Sequence, residues 1–276
     1  EKEFKFNGKV CIDLAVSEDN VSQIIINSGD ITYSSISVTQ NDKSSKIEVS
    51  SISENKTSQQ VTIPLSAPLS KGEAKLEIEF VGILNDNLKG FYRSKYKLGS
   101  GEDAFCGCTQ FEACDARLAF PCWDEPAAKA TFTLQMEYPK ELLCISNMPA
   151  VKEEEVNDKL KRVTFDKTPK MSTYLLAWVI GEFEYIEAKT SRDIIVRIYT
   201  SVGSKDKAQY ALKVAVKCLD FYEKYFDIKY PLPKCDMIAL ADFAAGAMEN
   251  WGLITYREVR LLCDEKDAAL SHKQNV

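Results

Sequence analysis

Apolar and polar residues alternate along the first half of the chain in short runs that turn residues separate. Positions 10–16 carry Val, Ile, Leu and Val at every second place, and positions 76–80 repeat this with Leu, Ile and Phe. Turn-forming residues occupy 27–30 (Asn-Ser-Gly-Asp) and 71–72 (Lys-Gly). A period of two is typical of strands with one buried face, so this half is predicted to be an antiparallel β-sandwich.

The spacing changes in the second half of the chain. Further strands are predicted at 129–136, 162–165, 174–180, 194–199 and 237–240. The residues at helical spacing are Ala208, Ala211, Leu212, Ala215, Leu219, Tyr222 and Phe226. This pattern predicts a long helix that Ser204 caps and that ends near Pro231 and Pro233. We expect a boundary at residues 186–193, which gives one domain at 1–188 and an incomplete second one at 189–276.

Composition and charge narrow the classes of protein. The formal net charge is −6 and no basic block is present, which argues against a nucleic-acid or anionic-membrane partner. No apolar run approaches the roughly 20 residues of a membrane span, and residues 1–10 do not resemble a signal peptide. A targeting segment before residue 1 stays open, because the sequence does not begin with Met.

The nine cysteines are odd in number and mostly lie in apolar stretches, which favours reduced thiols and a cytoplasmic location. Cys106, Cys108, Cys114 and Cys122 fall within seventeen positions. Their spacing does not match paired C-x-x-C zinc knuckles, and neighbouring strand residues point to opposite faces. We therefore predict no zinc site among them.

One segment combines features of a binding site. Residues 242–252 read Asp-Phe-Ala-Ala-Gly-Ala-Met-Glu-Asn-Trp-Gly and follow a predicted buried strand. Glycine lets a backbone come close to a ligand, and a free strand edge accepts an extended peptide. Glu249 would then bind the positive charge with which a peptide begins. The alternative is a tight turn with an exposed glutamate, and composition leaves both interpretations open.

Residues 246–250 spell GAMEN, which resembles the exopeptidase motif of zinc aminopeptidases of the aminopeptidase N and puromycin-sensitive type. Further segments resemble that family in the same order. They are GFYRSKY at 90–96, TQFE at 109–112, AFPCWDEP at 119–126, MSTYL at 171–175 and YPLPK at 230–234. The resemblance runs from about Phe6 to the end of the chain.

The resemblance implies roles for individual residues. Glu249 and Glu112 would hold the free α-amino group of a peptide, and Gln110 would help line the pocket for the first side chain. Gly246, Ala247 and Met248 would contact the substrate through the motif. Asn250 either joins them or stabilises its own turn. Asp115 and Arg117 are expected to form an ion pair or to bond the backbone at a corner.

The same resemblance implies a saddle-like β-sandwich followed by the first part of a thermolysin-like α/β catalytic domain. Such enzymes bind zinc through His-Glu-x-x-His, and this chain has one histidine, His272, to which we assign no role. We therefore predict no metal ligand and no catalytic residue here, zinc in the full-length protein, and peptides with a free N-terminus as substrates. The missing remainder of its own domains is the other expected partner. The alternative is a non-catalytic truncated isoform that binds peptides or a partner protein.

Overall fold

The computed structural model describes residues 4–98 and 100–276, and it is mainly β, as predicted. The first strands are β1 (Lys5–Val16), β2 (Val21–Asn27), β3 (Ile31–Gln40), β4 (Lys43–Ile47), β5 (Ser53–Asn55), β6 (Gln60–Leu69) and β7 (Gly72–Ile83), with a 3-10 turn at Val49–Ser51. They form two antiparallel sheets, ordered β1-β7-β3-β4 and β2-β6-β5. One core that includes Ile36, Ile63 and Leu76 joins the two sheets, which confirms the predicted sandwich.

Two glycines fix the pairing of β1 with β7. The ring of Phe80 lies on Gly8, where an added Cβ would come within 2.2 Å of the ring. The ring of Phe6 covers Gly82 at the same distance. Each aromatic ring thus replaces a side chain that the opposite strand lacks, and any larger residue at position 8 or 82 would displace it.

The next part of the chain forms two more antiparallel sheets. Its strands are β8 (Gly90–Lys97), β9 (Asp103–Gln110), β10 (Gln135–Pro139), β11 (Leu143–Ser146), β12 (Ala150–Glu155), β13 (Leu160–Phe165) and β14 (Trp178–Gly181), with 3-10 turns at Ala116–Leu118 and Thr173–Leu175. The sheets are ordered β11-β14-β9-β8 and β10-β13-β12.

Two strand predictions in this part were wrong at one end. The strand predicted at 129–136 begins only at Gln135, because residues 130–134 pair irregularly with 165–171: Phe132 donates to the Thr168 hydroxyl rather than to a backbone carbonyl. Pro169 in the facing segment has no N–H for a regular ladder. The strand predicted at 174–180 begins at Trp178, since Tyr174 lies in a 3-10 turn.

A five-stranded mixed sheet completes the fold. Its strands are β15 (Phe183–Lys189), β16 (Ile195–Ser201), β17 (Lys234–Leu240), β18 (Ala247–Met248) and β19 (Leu253–Arg257), in the order β15-β16-β17-β19-β18. The pairs β16-β17 and β17-β19 are parallel, and the outer pairs are antiparallel. Helices are α1 (Gln209–Phe226), α2 (Glu258–Leu261) and α3 (Leu270–Asn275), with a 3-10 turn at Lys205–Ala208. The boundary between residues 188 and 189 falls in the β15–β16 hairpin, and the division into domains stays a prediction.

Helix α1 lies where the spacing predicts it, but it is shorter than predicted at both ends. Ser204 makes no side-chain capping bond, and the Glu184 carboxylate instead accepts N–H bonds from residues 203–205. The helix ends at Phe226, before the prolines, because Asp227 adopts the left-handed conformation with φ of 53°. None of the helices in the described residues is long and apolar enough to span a membrane.

The largest core crosses from the antiparallel sheets to the mixed sheet. It contains Phe91, Phe111 and Trp178 on one side, and Leu240 and Met248 on the other. The GAMEN segment therefore packs on the sheet that carries β9, and this shared core positions the candidate site.

Candidate functional site

Strand β17 is the scaffold of the candidate site. All seven of its residues are buried, because parallel neighbours flank it on both sides and the cores of the protein cover its faces. The chain then loops through residues 241–246, forms the two-residue strand β18 and turns at 249–252 into β19. Ala247 pairs with Tyr256 and Met248 with Thr255, and no strand of residues 4–98 or 100–276 pairs with the other edge of β18.

A buried lysine fixes this turn to the neighbouring sheet. The Lys234 ammonium donates hydrogen bonds to the carbonyls of Ser146 and Gly252, and it forms an ion pair with Asp236 at 2.7 Å. Burial lowers the pKa of Lys234 and raises that of Asp236, while the attraction between the two charges opposes both shifts. Three oxygen partners thus compensate an ammonium group that lies out of water.

Asn147 makes a second connection to the same turn. Its Nδ2 donates to the carbonyls of Trp251 and Leu175, at 2.8 Å each, and its Oδ1 accepts the Ala177 N–H at 2.9 Å. Gly252 has φ of +74°, and a Cβ there would lie 2.2 Å from the Asn147 carbonyl oxygen. Only glycine permits this close approach.

The loop before β18 is held by contacts from two strands. The Asp242 carboxylate accepts the Lys95 N–H at 3.0 Å, and the Asp242 carbonyl accepts the Tyr92 hydroxyl at 3.0 Å. Burial raises the pKa of Tyr92 well above its ordinary value, so that hydroxyl stays a donor. The Arg257 guanidinium donates to the carbonyls of Phe243 and Ala244. The loop is therefore tied to β8 on one side and to β19 on the other.

The two predicted amine-binding carboxylates are both exposed. Glu249 follows β18, and Glu112 lies two residues beyond the end of β9, where the Glu112–Ala113 peptide bond is cis. Neither carboxylate has a hydrogen-bond or ion-pair partner in the part of the chain that the structure describes. Both face water and are available to a cation.

Gln110 is the buried member of the predicted set. Its side chain is 8% exposed, and its Nε2 donates to the Glu112 carbonyl at 3.4 Å. Its Oε1 is buried and, among the described residues, has no hydrogen-bond partner. A buried carbonyl oxygen without a donor is costly, so this atom is suited to accept a hydrogen bond from a ligand.

The structure places the other motif residues on different sides of the hairpin. Gly246 and Ala247 are exposed, and the Gly246 carbonyl accepts the Arg257 N–H at 3.0 Å. The Met248 side chain is buried in the shared core that also contains Phe111, and the Asn250 amide donates to the Thr255 hydroxyl at 3.3 Å. Met248 and Asn250 therefore hold the hairpin with their side chains, and only their backbones are left for a substrate.

The ion pair expected between Asp115 and Arg117 does not form. Arg117 pairs with Asp124 at 3.0 Å and also donates to the carbonyls of Asp124 and Ser58, as expected for a residue at a corner. Asp115 lies 3.8 Å from the ammonium of Lys89. Asp124 is buried and Asp115 is more accessible, so the guanidinium pairs with the carboxylate that water cannot solvate.

The sequence analysis missed Lys234, Asn147 and Tyr92 as residues that position the site. Lys234 and Tyr92 lie inside segments that resemble the family, but nothing in those segments shows that the two side chains contact the GAMEN loop. One signal was available, since a Lys-x-Asp pair in an otherwise apolar strand predicts a buried ion pair on one face.

The described residues contain no group of three or more His, Cys, Asp or Glu side chains that could hold a metal ion. Zinc therefore does not fit any cluster within them. His272 lies in α3, where its Nε2 is 3.3 Å from the Val259 carbonyl.

Comparison with known proteins identifies the relatives of this fold. Residues 1–175 match the peptidase M1 N-terminal domain and residues 210–276 match the peptidase family M1 domain, so Gln110 and Glu112 lie in the first match and residues 246–250 in the second. Aminopeptidase M1 of Arabidopsis thaliana is 46% identical over 98% of this chain. The puromycin-sensitive aminopeptidase of Caenorhabditis elegans is 44% identical over 99% of it.

The chain spans 31% and 29% of the length of these two relatives. The match to the N-terminal domain comes before the match to the peptidase domain, just as the antiparallel sheets come before the GAMEN segment in the chain. The chain belongs to peptidase family M1, of which it contains the N-terminal domain and the beginning of the peptidase domain.

Proposed function

We propose that this chain is part of a zinc-dependent aminopeptidase and that it supplies the site that holds the N-terminal amine of a peptide. One observation carries the proposal: two unpartnered carboxylates, Glu249 and Glu112, are exposed at the ends of strands that pack on one core. Relatives that cover nearly the whole chain are named aminopeptidases.

The chemistry of the substrate matches these groups. An α-ammonium has an ordinary pKa of about 7.7–8.0 and offers three donors, so it is mostly charged at neutral pH. Two carboxylates and the free Oε1 of Gln110 supply acceptors for it and for the adjoining backbone. An acetylated N-terminus has no positive charge, so it would leave the carboxylates unpaired, and this penalty favours exopeptidase specificity.

The free edge of β18 would hold the peptide backbone. Gly246 and Ala247 are exposed at the start of β18, and these two small residues would leave room for an extended strand. The bonds from Lys234 and Asn147 fix the following turn, so Glu249 would be held in place before a peptide arrives. A pre-organised site loses less entropy on binding.

The zinc ion and its ligands would come from the remainder of the full-length protein, since the relatives are about three times longer. The 276-residue chain alone should therefore not hydrolyse peptides. We further propose a cytoplasmic location, because all nine cysteines are free thiols, which suits a reducing compartment.

The experiment compares the binding of leucinamide and N-acetyl-leucinamide to the chain by NMR titration. We expect leucinamide to bind weakly and the acetylated compound at least about tenfold more weakly, because a lost charged hydrogen bond costs roughly 1.5–3 kcal/mol. Glu249→Gln and Glu112→Gln should each abolish the preference. Glu141→Gln is the matched control, because Glu141 is exposed and lies outside the segments 109–112 and 246–250. This variant should retain the preference for leucinamide.

Equal binding of the two compounds would contradict the amine site. The proposed inactivity has a separate measurement: a fluorogenic leucyl amide with added zinc should show no turnover. Turnover that survives repurification and disappears in Glu249→Ala would show that the chain is itself catalytic. Amine binding that persists in both glutamine variants would favour a binding module with another site.

A further inference from the structure

Strand β1 is an unprotected edge of the sandwich. At twelve residues it is the longest edge strand in the described part of the chain, and it pairs only with β7. Its register runs from Lys5 opposite Ile83 to Val16 opposite Gly72 without a bulge, and it contains no proline. Natural sheets usually blunt such edges with bulges, prolines or covering loops. The edge strand β2, by contrast, contains a register shift between Val21 and Gln23.

The outward face of β1 carries an ordered pattern of charge. Lys9, Cys11 and Asp13 lie directly opposite Glu79, Glu77 and Lys75 of β7. Lys9 is 3.8 Å from the Glu79 carboxylate, and Lys75 is 3.7 Å from that of Asp13. The charges are thus positive, neutral and negative along β1, and negative, negative and positive along the facing positions of β7. Glu77 also lies 3.4 Å from the Lys9 ammonium and accepts a hydrogen bond from the Cys11 thiol.

We propose that β1 pairs antiparallel with β1 of a second copy of this chain, about a two-fold axis at Cys11. The axis places Lys9 opposite Asp13 of the second copy, and the same contact recurs on the other side of the axis. Each row across the four strands then alternates in sign: Glu79, Lys9, Asp13 of the second copy and Lys75 of the second copy. Opposite charges in directly facing positions stabilise a sheet, and like charges destabilise it.

The charge pattern selects this register over its neighbours. An axis at residue 9 would place Lys9 opposite itself, and an axis at residue 13 would do the same with Asp13. Axes at residues 10 and 12 leave Lys9 opposite an uncharged residue. All of these axes keep outward residues opposite outward ones, because side chains alternate faces, so the charges distinguish among them.

The inward face gains apolar contacts in the same register. Its residues Phe6, Val10, Ile12, Leu14 and Val16 pack on the sandwich core but remain partly exposed. Pairing places Val10 beside Ile12 of the second copy and Leu14 beside Gly8 of the second copy. The Phe80 ring already covers Gly8, so Leu14 of the second copy would lie beside that ring, and the covered apolar surface favours association.

Cys11 provides a direct probe of the axis. It is exposed, and two copies of it would face each other at the roughly 4.5–5.5 Å Cβ spacing of cross-strand neighbours, close enough for a disulfide. For the cross-linking experiment, the other exposed cysteines, Cys114 and Cys218, would first be replaced by serine. Copper phenanthroline, which accepts the two electrons of the two thiols, should then convert the 31.0 kDa chain to a covalent dimer.

Two double variants that differ only in the sign of the charge at position 7 test the register. Asn7 faces Ala15 of the second copy, and both are exposed. Asn7→Glu with Ala15→Lys should strengthen the dimer, whereas Asn7→Lys with Ala15→Lys should weaken it, with dissociation constants that differ by about tenfold or more. Both should fold alike, because they differ only at position 7, which lies opposite the uncharged Val81 of β7. Sedimentation analysis over a concentration series measures the masses.

The proposal is supported if the like-charge variant loses both the dimer and the Cys11 cross-link. It is overturned if the chain stays monomeric up to about 1 mM, a limit that corresponds to roughly 4 kcal/mol of association free energy. It is also overturned if the two variants associate equally. The exposed aromatic residues Phe221 and Tyr225 of α1 are the rival surface, so a dimer that Phe221→Ser with Tyr225→Ser dissolves would equally contradict it.

Discussion

At the scale of the residue, the candidate site depends on side chains that never reach a substrate. Lys234 is 3% exposed, and a lysine ammonium is costly to bury without partners. Its contacts join residues that are 88 positions apart, as the bond to Ser146 shows. The Asn147–Trp251 bond spans 104 positions. Together they fix the turn that follows Glu249, so a substitution there changes the site without touching the carboxylate.

We predict that Lys234→Met lowers the free energy of unfolding by about 3–5 kcal/mol, because the buried Asp236 loses its close partner and keeps only the Arg197 guanidinium at 3.9 Å. The carbonyls of Ser146 and Gly252 lose a donor as well. Urea unfolding followed by circular dichroism measures the change. Adding Asp236→Leu should recover most of the loss, and a double variant as unstable as the single one would show that the ion pair is not the cause.

Sequence alone identified Glu112 only through the family resemblance, whereas the glycine-containing segment around Glu249 left a binding site and a tight turn both open. Both are exposed glutamates without partners among the described residues, and exposure alone does not distinguish them from other surface glutamates. Gln110 differs, because its burial with an unbonded Oε1 is a structural property that no spacing reveals. Lys234 was unpredictable as a positioning residue, since its acceptors come from segments far along the chain.

At the scale of the element, alternation predicted strands well where one face is buried and a full ladder forms, as in β1 and β7. It failed at residues 129–134, where Pro169 in the facing segment prevents a regular ladder. The start of α1 was misassigned for a different reason. The N–H groups of residues 203–205, at the start of the 3-10 turn before α1, donate to Glu184. Glu184 lies twenty positions earlier than Ser204, and local capping rules consider only neighbours.

The hydrogen bonds from residues 203–205 to the Glu184 carboxylate give a pH-dependent prediction. Partial burial favours the neutral acid, but hydrogen bonds from Gly203 and Lys205 and the charge of Lys205 outweigh it and lower the pKa of Glu184 below 4.5. The unfolded chain therefore binds this proton first as the pH falls. The contribution of the Glu184 carboxylate to the free energy of unfolding is complete above about pH 4.5, and it is lost as the pH falls through the folded-state pKa of Glu184.

Glu184→Gln should accordingly lower the free energy of unfolding by about 1–2 kcal/mol at pH 7, and the difference from the unmodified chain should shrink toward pH 3. Urea unfolding at a series of pH values measures this. Glu182→Gln, at an exposed neighbour whose side chain has no partner among the described residues, is the control and should change little. A loss independent of pH would show that packing rather than charge is responsible.

At the scale of the whole molecule, one core extends from the antiparallel sheets into the mixed sheet. The sandwich core is built mainly from strands β1 to β7, and a bridge between Asn27 and Cys122 links β2 to the chain that follows. The larger core takes Trp178 from the antiparallel sheets and Leu240 from the mixed sheet. Phe6 and Phe120 contact both cores and connect them. The N-terminal family domain, residues 1–175, thus contains the sandwich core but only part of the largest core.

This arrangement predicts which parts of the chain unfold together. Leu240→Ala removes a side chain that is 1% exposed and should cost about 2–5 kcal/mol. Hydrogen exchange should then rise in both β8–β9 and β16–β17, because they share one core, while β3 and β7 keep their protection. Leu76→Ala, in the sandwich core, is the reciprocal variant and should raise exchange in β3 and β7. If Leu240→Ala affected only residues after 189, the antiparallel sheets would be stable without the mixed sheet, and the shared core would not be a cooperative unit.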